Sequence, residues 1–416
     1  MGAYTLRCLE GGHIVHDEFS LMCEQGHKGL LRSEYAKKKL DIIDCKSLFR
    51  FYDWLPVHST VKSDSAPVVF RNEAMAKELG LEDLWIGFTG YYPERGAYAK
   101  SCTFKELEAL PTFARLKDMG KNVISLASAG NTARAFAQVA EDTGNKVIIV
   151  VPKKSADRIK VTEDTGKTKL ITVDGDYTDA IRISDRIAKM GVSVSEGGAR
   201  NVARRDGMGT VMLQAAITAG KIPDYYFQGV GSGTGAISAW EASMRLNGDG
   251  RFGSNLPELH LAQNIPFTPM AKAWGEGRRS IIDEDLPKDK GYIDEVYADV
   301  LTNRTPPYGM AGGVFDAMTA CKGRFYEVSR EAATDAEKFW CSFEDVRPDP
   351  AASVAFAALM NAVEECKIDS KKKVFVNMTG GGLERAIKEL SMVSVKPTSS
   401  IKTDITDEEL RGIVNE

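Results

Sequence analysis

The chain has 416 residues, 43% hydrophobic and 27% charged, an ordinary globular composition and enough length for two or three domains with cores of their own. Its 54 basic and 58 acidic residues give a net charge of −4, so no basic footprint points to nucleic acid, and no apolar run approaches the ~20 residues of a membrane span. The N-terminus lacks a signal-peptide pattern, Leu6 stands where a myristoylation site wants Ser or Thr, and seven scattered cysteines argue for reduced thiols, so a cytoplasmic protein is expected.

The first fifty residues are read as a separate small unit. Four of the five histidines fall before residue 60, and "RCLEGGHIVHDEFSLMCEQGHKGLL" reads as two short hairpin-like pieces, each with a Cys followed by Gly and His. Cys8 and Cys23, with His13, His16 and His27 nearby, supply enough ligand atoms for a metal. The paired Cys-x-x-Cys spacing of a zinc ribbon is missing. The expectation for residues 1–50 is a β capping unit that holds no metal.

From residue 66 strand and helix patterns alternate. "APVVFRNEAMAKELGLEDLWIGF" predicts a strand, a helix ending at Gly80, and a second strand. Lys105 in "SCTFKELEAL" stands where a loop turns into a helix. "KNVISLAS" is β-rich and precedes a helix from about Asn131. "NKVIIVVP" (145–152) is a continuous apolar run of the buried parallel type. "TKLITVDG" (168–175) leads to an amphipathic helix over 178–190, with Ile181, Ile183, Ile187 and Ala188 as its apolar positions. "DYYFQGV" (224–230) precedes a glycine loop and a helix over 236–247, and "ELHLAQN" (258–264) and "KKVFVNMTGGG" (372–382) are two further strands. The polar, Gly- and Pro-rich stretch 267–345 reads as irregular surface. Repeated strand–loop–helix units predict an α/β fold with parallel sheets covered on both faces, and the length predicts two such units.

Ligands of open α/β sheets bind where strands open into helices. Three such loops carry chemistry. In "GVGSGTGAIS" (229–238), Gly231, Gly233 and Gly235 let backbone N–H groups converge at a helix N-terminus, with Ser232 and Thr234 adding hydroxyls, which suits a phosphate. In "SAGNT", Ser128, Ala129, Gly130, Asn131 and Thr132 offer donors for a carboxylate, and the Asn131 amide could also serve as a helix N-cap or reach a ring oxygen. In "NMTGGGLERA", the Thr379 hydroxyl closes a strand and three glycines permit close approach of a flat ligand. A lysine, a phosphate cradle, a carboxylate loop and a neutral partner for an aromatic nitrogen are the requirements of pyridoxal phosphate. Cys102 has no His in a motif with it and is read as a small packing residue.

With these loops in this order, residues 66–390 resemble the pyridoxal-phosphate enzymes of fold type II, the tryptophan synthase β-like fold, and within them the threonine-synthase branch. The resemblance implies two parallel-sheet α/β domains with the cofactor between them, plus a ribbon-like N-terminal unit. The implied division is 1–50 as the cap, 51–109 with 206–416 as the large cofactor domain, and 110–205 as a small mobile domain. It implies Lys105 as the Schiff-base and catalytic lysine, Asn131 at the ring hydroxyl, Gly231 to Gly235 at the phosphate, and Thr379 at the pyridine nitrogen. The lysine segment "GAYAKSCTFKELEA" lacks the Asp-Arg-Gly that follows the lysine in threonine synthases. This variant is similar to the cysteate-forming paralogues of methanogenic archaea, which replace the phosphate of O-phospho-L-serine with sulfite in making coenzyme M. The implied partners are therefore small-molecule substrates, O-phosphoserine and sulfite, in a homo-oligomer without nucleic acid or membrane. The alternative is a threonine synthase acting on O-phospho-L-homoserine and water. Arg95, Lys100, Lys153, Lys154 and Arg158 lie near the site loops in sequence and are read as surface charges.

Overall fold

Apolar runs rich in β-branched residues bury both faces of a strand, so they pair in parallel beneath helices. In the computed structural model, which describes residues 4–289 and 291–415, two such sheets form. The larger has six strands in the order Arg324–Val328, Glu258–Asn264, Tyr225–Gly229, Lys373–Met378, Asp83–Phe88, Val68–Arg71. Only Val68–Arg71 runs antiparallel, against Asp83–Phe88. The smaller sheet has five parallel strands: Val194–Ser195, Val123–Ala127, Lys146–Pro152, Thr168–Asp174 and Pro397–Lys402. Tyr225 pairs with Val374 and Phe227 with Val376, so the loops that follow these two strands open at the same edge.

The strands predicted from apolar runs appear within about two residues of their expected bounds, but three features differ. The stretch 267–345 is not wholly irregular. It contributes the edge strand Arg324–Val328 and the helix Arg330–Cys341, whose buried residues are only Ala333, Ala336 and Trp340. Two alanines and one tryptophan leave too little apolar periodicity to read. In the helix Tyr177–Lys189, Ala180, Ile183, Ser184 and Ile187 are buried while Ile181 faces outward. The third difference corrects the expected division. Residues 206–416 do not stay with the larger sheet, because Pro397–Lys402 lies parallel beside Thr168–Asp174 in the smaller one. Its sequence, "PTSSIK", is mostly exposed and shows no strand-like alternation.

The N-terminal unit is a three-stranded antiparallel sheet of Ile14–Val15, Tyr4–Cys8 and Leu31–Tyr35. It is fastened to the rest through buried polar groups. The Ser33 and Tyr35 hydroxyls both donate to Asp206 at 2.5 Å, and Arg245 meets the other oxygen of that carboxylate. Arg205 donates to the Leu31 carbonyl and to Glu241, which also pairs with Arg32. Asp206 and Arg205 lie on the helix Val202–Ala219, which packs against the helix Glu106–Asp118 that begins just after Lys105. No helix among the described residues is long and apolar enough to cross a membrane.

Gly207 sets how closely those two helices approach, because a Cβ there would collide with the Leu107 carbonyl oxygen. Gly207→Ala therefore pushes the Lys105 helix outward. The expected cost is about 1–3 kcal/mol, read as a lower denaturant midpoint with an unchanged slope.

Candidate active site

The turn before Lys105 is stitched, backbone to backbone, to the loop after the central strand Lys373–Met378. Phe104 N–H donates to the Thr379 carbonyl at 2.9 Å, Gly381 N–H donates to the Cys102 carbonyl at 3.1 Å, and Thr103 bridges Gly380. The glycines make this approach possible. A Cβ on Gly380 would lie 2.6 Å from the Cys102 carbonyl oxygen, and one on Gly382, at φ +79°, would collide with the Tyr91 carbonyl. Cys102 pays for the turn with a φ of 58°. Burial pushes its thiol up to about 12, which agrees with a packing role rather than a nucleophile.

Lys105 exposes 20% of its side chain, and its Nζ lies 3.6 Å from Glu108, a fully buried carboxylate one helical turn on. Glu108 in turn lies 3.0 Å from Arg204, which pairs with Glu196 at 2.8 Å. Burial lowers the Lys105 pKa and the Arg204 charge adds to that, while Glu108 and Glu196 pull the other way. Removal from water raises the pKa of Glu108 against the pull of Arg204 and Lys105. For Arg204, burial works against the charge and the two carboxylates more than offset it. A row of alternating charge therefore ends at an amine that gives up its proton more readily than an ordinary lysine.

The asparagine loop follows Val123–Ala127, and the helix Asn131–Thr143 begins at Asn131 itself, with Gly130 as its cap. The Asn131 amide nitrogen donates to Asp349 at 3.2 Å, and its oxygen accepts from Arg134 at 3.0 Å. Arg134 also donates to the Ser101 carbonyl at 2.7 Å, and Asp349 N–H donates to the Gly380 carbonyl at 2.9 Å. Asn131 is thus tied both to the lysine turn and to the Thr379 loop. Thr379 itself is 5% exposed.

The glycine loop turns at Gly233, φ +73°, into the sixteen-residue helix Thr234–Asp249. The Ser232 and Thr234 hydroxyls are 2.8 Å apart, and Thr234 N–H donates to Ser232 Oγ at 3.3 Å. A Cβ on Gly235 would lie 2.5 Å from the Gln228 side chain, and one on Gly231 would lie 3.0 Å from the Leu301 backbone. Two clustered hydroxyls at the start of a long helix form a donor set that fits a phosphate. The segment carrying Leu301 also places Val300 3.1 Å from where a Gly130 Cβ would be, so it touches the glycine loop and the asparagine loop together.

The three loops singled out in the sequence come together at strand ends with the Lys105 turn, but Glu108, Arg204, Glu196, Arg134 and Asp349 carry no sequence signal. Each looks like an ordinary surface charge until the helices pack. Of the cations considered from sequence, Arg95 pairs with Glu344, Lys100 with Asp142 and Arg158 with Asp299, each at 2.7 Å, while Lys153 and Lys154 are exposed. Away from this site, Cys8, His13, Cys23 and His27 gather their ligand atoms within 4.8 Å of one another, although their spacing gave no expectation of a metal.

Residues 76–380 match the family model described as pyridoxal-phosphate dependent enzyme. The cysteate synthase of Methanocorpusculum labreanum is 50% identical over 407 residues, covering 97% of this chain and 98% of its own. That of Methanosarcina barkeri is 49% identical over 416 residues, covering 99% and 100%. That of Methanocella arvoryzae is 51% identical over 420 residues, covering 100% of each. Maize serine racemase superposes with a TM-score of 0.57 at 18% identity, over 75% of this chain and 87% of its own. Threonine deaminase isoform 2 from Solanum lycopersicum does so with a TM-score of 0.56 at 14% identity, over 86% and 98%. At those identities the solved structures share the fold.

Glu108→Gln removes a negative charge that favours the Lys105 ammonium. In the cofactor-free variant Lys105 loses its proton at lower pH than in the parent, measured as the pH dependence of its labelling by an amine reagent. An upward shift would contradict the charge arrangement.

Proposed function

We propose, for a chain that belongs to the pyridoxal-phosphate dependent enzymes and within them to the cysteate synthase family, a β-replacement that converts O-phospho-L-serine and sulfite to L-cysteate and phosphate. The observation that carries this is identity of about half over the full length of chains bearing that name, as with 51% over 420 residues. Threonine synthesis from O-phospho-L-homoserine and water is not favoured. The fold is that of fold type II.

The donor set supports a specific distribution of roles. Lys105 would hold the cofactor covalently, Gly231, Ser232, Gly233, Thr234 and Gly235 its phosphate, Asn131 its ring hydroxyl, and Thr379 its ring nitrogen. Pyridoxal phosphate, when bound, supplies the electron sink that lets bonds at the amino acid's Cα and Cβ break. The loop of Ser128, Ala129, Gly130, Asn131 and Thr132 receives the substrate carboxylate at a helix N-terminus. Lys105, whose pKa burial lowers, takes the Cα proton and later returns it. Phosphate departs with the Cβ–O electron pair, and the sulfur lone pair of sulfite forms the new C–S bond. Arg204, held between Glu108 and Glu196, offsets their pull on the Lys105 proton. The smaller unit would close on the substrate and exclude water from the reacting carbon. A homo-oligomer, carried by resemblance, and a cytoplasmic location, carried by the scattered cysteines, complete the reading, with light scattering of the purified protein as the check on the oligomer.

Incubating the cofactor-loaded protein with O-phosphoserine yields cysteate only when sulfite is present, identified by mass spectrometry. Threonine from O-phosphohomoserine with no cysteate would overturn the reading. Lys105→Ala abolishes both turnover and the visible absorption of the bound cofactor. The Ser232→Ala/Thr234→Ala variant loses hydrogen bonds to a charged group, each contributing about 1.5–3 kcal/mol. Its cofactor dissociation constant rises at least about a hundredfold in a titration of the cofactor-free protein.

A further inference from the structure

Two loops of the N-terminal unit point four ligands at one spot. In the first, Cys8 and His13 are separated by four residues, and the chain doubles back through Gly12 at φ +72°, with Gly12 N–H donating to the Cys8 carbonyl at 2.8 Å and Cys8 N–H to the His13 carbonyl at 2.9 Å. In the second, Cys23 and His27 are separated by three residues around Gly26 at φ +80°, whose N–H donates to the Cys23 carbonyl at 3.1 Å. The Cys23 sulfur lies 3.1 Å from His13 Nε2 and 3.5 Å from His27 Nδ1, and the Cys8 sulfur lies 3.5 Å from the same His27 nitrogen. A tetrahedral zinc with bonds of about 2.0–2.3 Å separates its ligand atoms by roughly 3.3–3.8 Å. The two 3.5 Å gaps fall in that range, the 3.1 Å gap lies just below it, and all four ligand atoms lie within 4.8 Å of one another.

The surroundings are built for the same purpose. Each sulfur accepts a backbone N–H from its own loop, Gly11 to Cys8 at 3.3 Å and Gln25 to Cys23 at 3.4 Å, which suits a thiolate held on a metal. A Cβ on Gly11 would collide with the His27 ring and come within 2.8 Å of the His13 ring, so glycine there is what lets the two imidazoles converge. Both sulfurs are buried, and the histidines are half-buried. His16, the other histidine of this stretch, is exposed and stands 4.0 Å from Glu18.

We infer that Cys8, His13, Cys23 and His27 bind a structural zinc ion. Two thiols lose their protons to solvent on binding, so two thiolates and two neutral imidazoles surround a divalent ion with no net charge. Four protein ligands leave no open position, which makes the site structural rather than catalytic. The ion closes the loop between His13 and Cys23. That loop carries Asp17, which takes Arg115 at 2.5 and 3.0 Å, Ser20, whose carbonyl accepts from Arg115 at 3.1 Å, and Phe19, whose ring lies 4.6 Å below the same guanidinium. Arg115 is fully buried on the helix that starts after Lys105. The zinc therefore acts as a clasp on the element that positions the lysine.

The test is metal analysis of the holoenzyme purified with zinc present and without chelator. One zinc per chain is expected, falling to background in Cys8→Ser/Cys23→Ser, with a lower thermal midpoint of the parent after chelation. X-ray absorption of the parent should give a mixed shell of sulfur at about 2.3 Å and nitrogen at about 2.0–2.1 Å, and it decides alone if the double variant does not fold. A parent without zinc, a shell without sulfur, or zinc retained by the double variant would overturn the inference. So would five reactive thiols in the unfolded, unreduced protein instead of all seven, because a Cys8–Cys23 disulfide would then take the place of the metal.

Discussion

The site depends on a short backbone bridge between segments far apart in sequence. The Phe104 N–H and the Cys102 carbonyl bond to Thr379 and Gly381, so the lysine turn is anchored to the end of a buried strand rather than to a surface loop. A catalytic amine on a long flexible side chain needs such an anchor, because its reach is useful only if its root is fixed. The bridge explains the run Gly380–Gly381–Gly382, where side chains would strike the facing backbone. It also explains the left-handed Cys102, a strain of order 1–3 kcal/mol that the surrounding packing has to over-determine.

Charges buried around the amine give it chemistry. Lys105, Glu108, Arg204 and Glu196 alternate in sign, which lets an arginine keep its charge where water is largely excluded. Asn131, Arg134 and Asp349 form a second network that links the smaller sheet to the glycine run. Each half of the fold thus contributes one loop held by residues of the other.

What the sequence made legible follows from physical necessity at single positions. A short, β-branched apolar run such as 146–152 reads as a buried strand, and glycines such as Gly233 stand where a side chain would meet Val314. Glu108 and Arg204 were invisible because a charged residue on a helix reads the same whether it faces solvent or another buried charge. The strand Pro397–Lys402 was missed because an edge strand covered on one face needs little apolar content. The Cys/His residues stand out in the sequence, but their two loops carry unequal spacings, four residues and three, and their convergence is a property of the folded hairpins.

The return of the C-terminal strand has a consequence for how the protein is made. Synthesis runs from the N-terminus, so Thr168–Asp174 leaves the ribosome long before Pro397–Lys402 exists to cover its outer edge. Asp83–Phe88 likewise waits for Lys373–Met378 before it joins the rest of its sheet. Each sheet is completed only after its later strand has left the ribosome, and until then the nascent chain carries open strand edges, which are templates for pairing with other chains. The exposure to misassembly lasts as long as the chain between the paired strands takes to be made, and a chain cut before Lys373 would leave both sheets in that state.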